Sequence, residues 1–398
     1  MDQGMSSDWA NLPKHLLDSV VETLVLPSHY VPFSLVCKSW YSVAKDNIRK
    51  HERMTAPMLL IYSGKKDYWN VFNKATNKIL DFQVRVPNKR LCGSSKGWLL
   101  YLDRNDVDKN FGITLVNPFF RVKGRRERSN SLIRLPPLMP PGWENWLTSS
   151  YTLENYVFKA TISADPISNP EDCIVMVTHM DRLELAFIRL GKDTTWTYMD
   201  GSDNIVPGCR MIQEVIYVEQ TFYAVGYFNE LLSFDVTSQS YSKIHVIVPE
   251  DKPIIGQVKR YIFEGEGKKL FMVQRYTDYV EVEEGFHDRV TKKFRVFELN
   301  SAKGEWVEKN SLGDIAVFVG DNSSISVLPS NLSGCQSDCI YFNHDRDHVA
   351  CLLPPHDFGA YNVPEKSFLQ AYPAHVDKLM KRSLQLPIWV IPTLYFEL

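Results

Sequence analysis

The 398-residue chain carries 45 basic and 47 acidic side chains, with 44% hydrophobic and 12% aromatic residues. Charges this nearly cancelled give no electrostatic footprint for a polyanion, so nucleic acid is not an expected partner. No apolar run reaches the roughly 18 residues of a membrane span, and the opening MDQGMSSDWANLP has neither the basic nor the apolar part of a secretory signal. A protein held inside the cell, in cytoplasm or nucleus and away from membranes, is expected. The seven scattered cysteines suit reduced thiols better than a disulfide framework. The length exceeds what one small core fills, which predicts a short module plus one large domain, or two medium ones.

From Pro13 to Leu26 the apolar positions Leu16, Leu17, Val20, Val21, Leu24 and Val25 repeat every four residues in doublets, the spacing of one helical face. Pro13 suits a first turn and Pro27 a stop. A second helix is expected to start near Pro32, with Phe33, Val36, Trp40, Val43 and Ala44 recurring at three to four residues. Fewer than about 50 residues with this much apolar surface need a partner or a neighbouring domain.

The wording of this segment adds to its period. Leu12-Pro13-x-x-Leu16-Leu17, followed by Leu35-Val36-Cys37-Lys38-x-Trp40, resembles the F-box. Lys14 and His15 stand where that family usually carries Asp or Glu. The resemblance implies a helical module over residues 8–50. In it Leu12, Pro13, Leu16, Leu17, Val20, Leu24, Val36, Cys37 and Trp40 would bind a Skp-type adaptor, and through it a cullin and a RING subunit. Such a contact is a helix-in-groove interface in which each aliphatic side chain withdrawn from water contributes about 1.5–3 kcal/mol. The alternative is that the stripe packs internally against the rest of the chain.

After Met54-Thr55-Ala56-Pro57 the helical rhythm gives way to short runs rich in Val, Ile, Tyr, Phe and Trp, broken by Gly, Asn, Asp and Pro. The clearest stretch is Glu214 to Val246, where EVIYV, TFYAVGY, ELLSFDV and YSKIHV read as four strands of one antiparallel sheet. Similar patterns run over 58–82, 91–135, 156–198, 260–307 and 315–353. Short strands with no helical interruption over 57–398 predict a β-propeller rather than two sandwiches, giving a mainly β fold behind a small α module. Neither kelch nor WD40 signatures occur in register, so the blade count stays open.

The order of Cys92-Gly93-Ser94-Ser95-Lys96-Gly97-Trp98-Leu99, Val116-Asn117-Pro118-Phe119, Leu135-Pro136-Pro137-Leu138, Asp338-Cys339-Ile340-Tyr341-Phe342 and Pro387-Ile388-Trp389-Val390-Ile391-Pro392 resembles the large plant F-box family with a KIB-type domain. That resemblance covers nearly the whole chain. It implies a kelch-like propeller that recognises a protein client for an SCF-type ubiquitin ligase, a non-catalytic receptor. A scaffold without a ligase role is the alternative.

Three motifs that suggest chemistry have simpler readings. Gly93-Ser94-Ser95-Lys96-Gly97 fits G-x-S-x-G, yet no helix follows, and a glycine-bounded turn into a strand accounts for it. Cys335, Cys339, His344 and His348 have ligand types suited to zinc, but 339–342 and 349–352 read as a hairpin about a polar turn, so no metal or cofactor is expected. The basic run 121–128 reads as a solvated loop. Trp143 and Trp146 in PPLMPPGWENW are the candidates for a client-binding face, since aromatic side chains dominate binding hot spots. The sequons at Asn322 and Asn331 are expected to stay unmodified in a protein that is not secreted.

Overall fold

The computed structural model describes residues 9, 12–24, 33, 36–54, 56–104, 111–119, 132–138, 157–179, 184–199, 212–234, 236, 244–251, 256–283, 286–332, 334–345 and 355–393. Among the described residues, two N-terminal helices of defined extent precede six β-sheets. Helix α1 spans Lys14–Thr23, and the Pro13 carbonyl accepts the amides of Leu16 and Leu17 at 3.0 and 3.2 Å. Proline loses nothing there, because a donor at that position has no helical acceptor. The helix is shorter than expected, since Leu24 is already extended. Helix α2 spans Lys38–Met54 and runs past residue 50; near the expected start at Pro32, Phe33 is helical, and its neighbours 31, 32, 34 and 35 lie outside the described residues. Val36 sits in a bend ahead of it.

Of the four strands expected over 214–246, three are Glu214–Val218, Thr221–Val225 and Leu231–Phe234, and the fourth, read over 241–246, is His245–Val248, with 241–243 outside the described residues; all four are hydrogen-bonded in chain order. This is the fourth of six blades. The first strands of successive blades, Leu91–Ser95, Val157–Ile162, Glu214–Val218 and Gln257–Glu264, contact one another in a ring, with Ile388–Val390 at one end of the series and Ile325–Val327 at the other. The ring is closed by Ile388–Val390, which pairs antiparallel with Met58–Leu60 of the first blade.

Alternation explains why the strands are apolar throughout. In Met58–Tyr62 all five residues are buried, but Leu59 and Ile61 enter the cluster shared with the sixth blade, while Met58, Leu60 and Tyr62 enter the one shared with the second. Successive side chains point to opposite faces, and in a propeller both faces are covered. Six such clusters lie between neighbouring blades, filled by Trp98 and Ile162, by Phe187 and Phe222, by Leu231 and Ile262, by Phe263 and Phe342, by Phe72 and Phe318, and by Trp69 and Leu99.

Two expectations for the β domain need correction. It does contain a helix, α3 (Ala374–Lys381), which buries Val376 and Met380 beside Phe318 and Trp389. The strand Cys339–Phe342 does not form a hairpin with 349–352: it pairs parallel with Ala316–Val319 and antiparallel with Gly359–Asn362, so both its edges are taken. Residues 349–352 lie outside the described residues. The G-x-S-x-G segment is a two-residue hairpin turn, with Lys96 at φ 50° and Gly97 at φ 82° between paired Ser95 and Trp98.

Candidate protein-interaction surface

Helix α1 has two apolar stripes, one residue apart. Leu17 and Val21 are each 1% exposed and pack with Phe33, Val43 and Ala44, flanked by Leu12, Leu24 and Trp40. The Trp40 ring lies 4.6 Å from that of Phe33, and its indole N–H donates to the Trp9 carbonyl at 2.9 Å. Leu16 and Val20, about 100° round the helix, are 44% and 37% exposed, and Val36 is 50% exposed. Pro13 is exposed and Cys37 is half-buried. Asn47 donates to Asp18 at 2.7 Å and Lys14 pairs with Asp46 at 2.8 Å, both tying α1 to α2. The hydrogen bond to Asp46 holds the Lys14 ammonium above its ordinary range. The lysine that replaces the usual acid thus has an intramolecular partner.

The chain itself crosses the middle of the ring. The segment 320–324, between Ala316–Val319 and Ile325–Val327, reaches across to three other blades. The Ser323 amide donates to the Ser94 carbonyl at 2.9 Å, the Ser323 hydroxyl to Thr161 at 2.9 Å, and the Ser324 hydroxyl to Glu214 at 3.1 Å. Lys159 pairs with Glu214 and donates to the Gly320 carbonyl at 3.3 Å. Burial pushes the Glu214 carboxyl up to about 7 against the pull of Lys159. Asn322 is fully buried and spends its amide on the Phe318 and Ser323 carbonyls, so this sequon offers no acceptor to solvent.

A second buried network joins the fifth and sixth blades. Arg275 bonds Asp357 at 2.8 Å and Asp345 at 3.3 Å, Arg289 bonds Asp345 at 2.8 Å and Asp357 at 3.2 Å, and Lys259 reaches Asp345 at 2.6 Å. Burial alone would raise the Asp345 carboxyl; Lys259, Arg289 and Arg275 together hold it well below its usual range. His344, of the possible zinc set, accepts the Asp357 amide at 3.3 Å, and burial lowers its imidazole to about 3. Among the described residues no group of three or more metal-ligating side chains converges. His348, Trp143, Trp146 and the basic run 121–128 lie outside them. Neither network was foreseen from sequence, where their members read as isolated charges on short strands.

A family model of the F-box domain matches residues 9–52, and one of the KIB1-4 beta-propeller matches residues 71–362, more than half of the chain. The chain belongs to the F-box proteins with a KIB1-4 beta-propeller. Among relatives in Arabidopsis thaliana, this F-box protein is 24% identical over 374 residues to F-box protein At2g17036, covering 86% of this chain and 85% of that one. It is 25% identical over 365 residues to F-box protein SKIP23, covering 84% of each. To the F-box/kelch-repeat protein At1g57790 it is 25% identical over 332 residues, covering 81% and 79%. The F-box match ends two residues short of the end of α2, so helix and module coincide.

Proposed function

We propose that this F-box protein is a substrate receptor of an SCF-type cullin-RING ubiquitin ligase, acting inside the cell. Its helices would hold a Skp-type adaptor and its propeller a protein client. The observation that carries this reading is the second apolar stripe of α1. Leu17 and Val21 already close the helix pair, so Leu16 and Val20, with Val36 and Pro13, are left among the described residues as exposed aliphatic surface outside that core. Placed in an adaptor groove, the remaining exposed part of each aliphatic side chain would contribute about 1 kcal/mol. Leu12, Leu24, Cys37 and Trp40 would support that surface from behind, and Leu17 would act by holding the helices together. Trp143 and Trp146 remain the proposed client contacts.

The receptor needs no nucleophile or cofactor. Fixing a client lysine near a charged thioester makes the transfer effectively intramolecular, and the receptor contributes proximity alone. The test is capture of Skp-type adaptor and cullin by the full chain and by a Leu16→Ala, Val20→Ala double variant with unchanged melting. Capture by the wild type and its loss in the variant are expected. Equal capture by both would refute the assigned surface, and adaptor capture without cullin would favour a scaffold.

A further inference from the structure

At the seam where the sixth blade meets the first, a cleft of about 560 Å³ opens between the turn after Tyr68–Asn73 and the segments 334–341 and 369–373. Its polar lining is Lys74, Asn77, Gln336, Tyr341, Gln370 and Tyr372, and among the described residues no carboxylate lines it. Lys74 is 4% exposed. Its ammonium donates to Asn77 Oδ1 at 3.1 Å and to the Ala371 carbonyl at 3.0 Å, and lies 4.9 Å from the centre of the Tyr341 ring. These partners are all neutral. The nearby thiols of Cys335 and Cys339 are pushed up to about 11 by burial, so they too are uncharged at neutral pH. By contrast Lys159, Lys259, Arg275 and Arg289 each hold a carboxylate.

Buried charges are ordinarily paired, because an ammonium taken out of water without a counter-charge is strongly disfavoured. We infer that the cleft is a binding site for a singly charged carboxylate, with Lys74 as its cation. One cation flanked by neutral amides and a phenol fits a carboxylate better than a phosphate dianion. The Tyr341 hydroxyl accepts the Gln336 amide at 3.1 Å, which leaves its own proton to donate. The wall is held by close backbone contact: a Cβ on Gly334 would stand 2.0 Å from the Lys74 carbonyl oxygen. Burial, the main cause of the lowered Lys74 ammonium, would be offset by the bound anion.

The site does not depend on the adaptor reading, and its test uses the full chain alone. Benzoate and its neutral isostere benzamide are titrated by ligand-observed NMR and thermal shift. Benzoate is expected to bind at least about tenfold tighter and to raise the melting temperature, and a Lys74→Met variant is expected to lose that preference. A peptide with a free C-terminal phenylalanine carboxylate, set against its amide, identifies the source of the anion. Competition by the acid form alone assigns a protein terminus, and its absence while benzoate still binds assigns a free small acid. Binding of neither benzoate nor peptide, equal binding of benzoate and benzamide, or a preference that survives in folded Lys74→Met would overturn the proposal. Should that variant fail to fold, the wild-type comparison still decides.

Discussion

The helix pair and the propeller use their unusual residues in opposite ways. In the helix pair, five buried side chains make the core while Leu16, Val20 and Val36 stay in water. In the propeller, Glu214, Arg275 and Asp345 are fully or almost fully out of water, and their hydrogen bonds include ones to other blades. Exposed apolar surface is available to a partner, as proposed for Leu16, Val20 and Val36. Buried charge that is paired has its use already and points inward to the fold. The Lys74 cleft breaks this division, since among the described residues no carboxylate pairs with that buried charge.

Substitutions at the axis test the inward half of the contrast most severely. Lys159→Met leaves Glu214 buried without its cation, and is expected to lower the unfolding free energy at pH 8, where the carboxyl is most ionised, by about 3–5 kcal/mol in chemical denaturation. The loss should be smaller near pH 5 than at pH 8, because the stranded carboxyl can take up a proton. In the wild type the Glu214 carboxyl is raised from 4.5 to about 7. Between those values the folded state binds more protons than the unfolded one. Its contribution is therefore full below pH 4.5 and is lost as pH rises through 7. Asp345 and Asp357, both held below 3.8, contribute above that value and lose their contribution in stronger acid. A variant as stable as wild type at pH 8 would mean that the axial pair carries no fold.

Gly93→Ala comes next. A Cβ there would meet the Ala160 carbonyl oxygen of the next blade at 2.0 Å, and backbone on both sides cannot yield cheaply. The expected loss is about 3 kcal/mol. Ser95→Ala in the same G-x-S-x-G segment should cost about 1 kcal/mol, its hydroxyl being bonded to the Ile162 carbonyl at 3.5 Å and to Thr161 at 3.2 Å. A reversal of the two effects in thermal melts would contradict a packing role for this motif.

What could be read in advance follows the range of the interactions. The first three strands of the fourth blade are joined by short turns, so local period and composition located them, whereas the fourth, read over 241–246, is His245–Val248 after a ten-residue connection. The helices were legible as a stripe, but the doublet Leu16-Leu17 does not say which member faces inward; that depends on where Phe33 and Val43 come to lie. The parallel pairing of Ala316–Val319 with Cys339–Phe342 and the closure by Ile388–Val390 depend on partners distant in the chain or on the whole ring, and leave no local period. Gly320-Asp321-Asn322-Ser323-Ser324 has the composition of a surface turn, yet ring closure carries it into the axis. Lys74 gives no signal at all within Asn73-Lys74-Ala75-Thr76-Asn77.

The outward half of the contrast predicts loss of binding without loss of fold. Leu16→Ala with Val20→Ala should weaken adaptor capture by roughly 10- to 30-fold, about 1.5–2 kcal/mol, while the unfolding midpoint stays close to wild type. Leu17→Ala should do the reverse, melting the helix pair by about 2–3 kcal/mol and reducing capture only as a consequence. If Leu17→Ala abolished capture in a chain that kept its helical signal, the division between the two stripes of α1 would fail.

The smallest effect belongs to Lys14. Its pair with Asp46 is 63% and 51% exposed, and an ion pair in water gains little beyond what solvation already supplies. Lys14→Ala is therefore expected to move the melting temperature by no more than about a degree, and less in high salt. Its effect on adaptor capture is the sharper reading, because the family usually has an acid at this position. Capture unchanged would mean that Lys14 faces Asp46 and not the partner. A rise in capture would mean that a cation at this edge opposes the adaptor, and that the internal salt bridge only partly screens it.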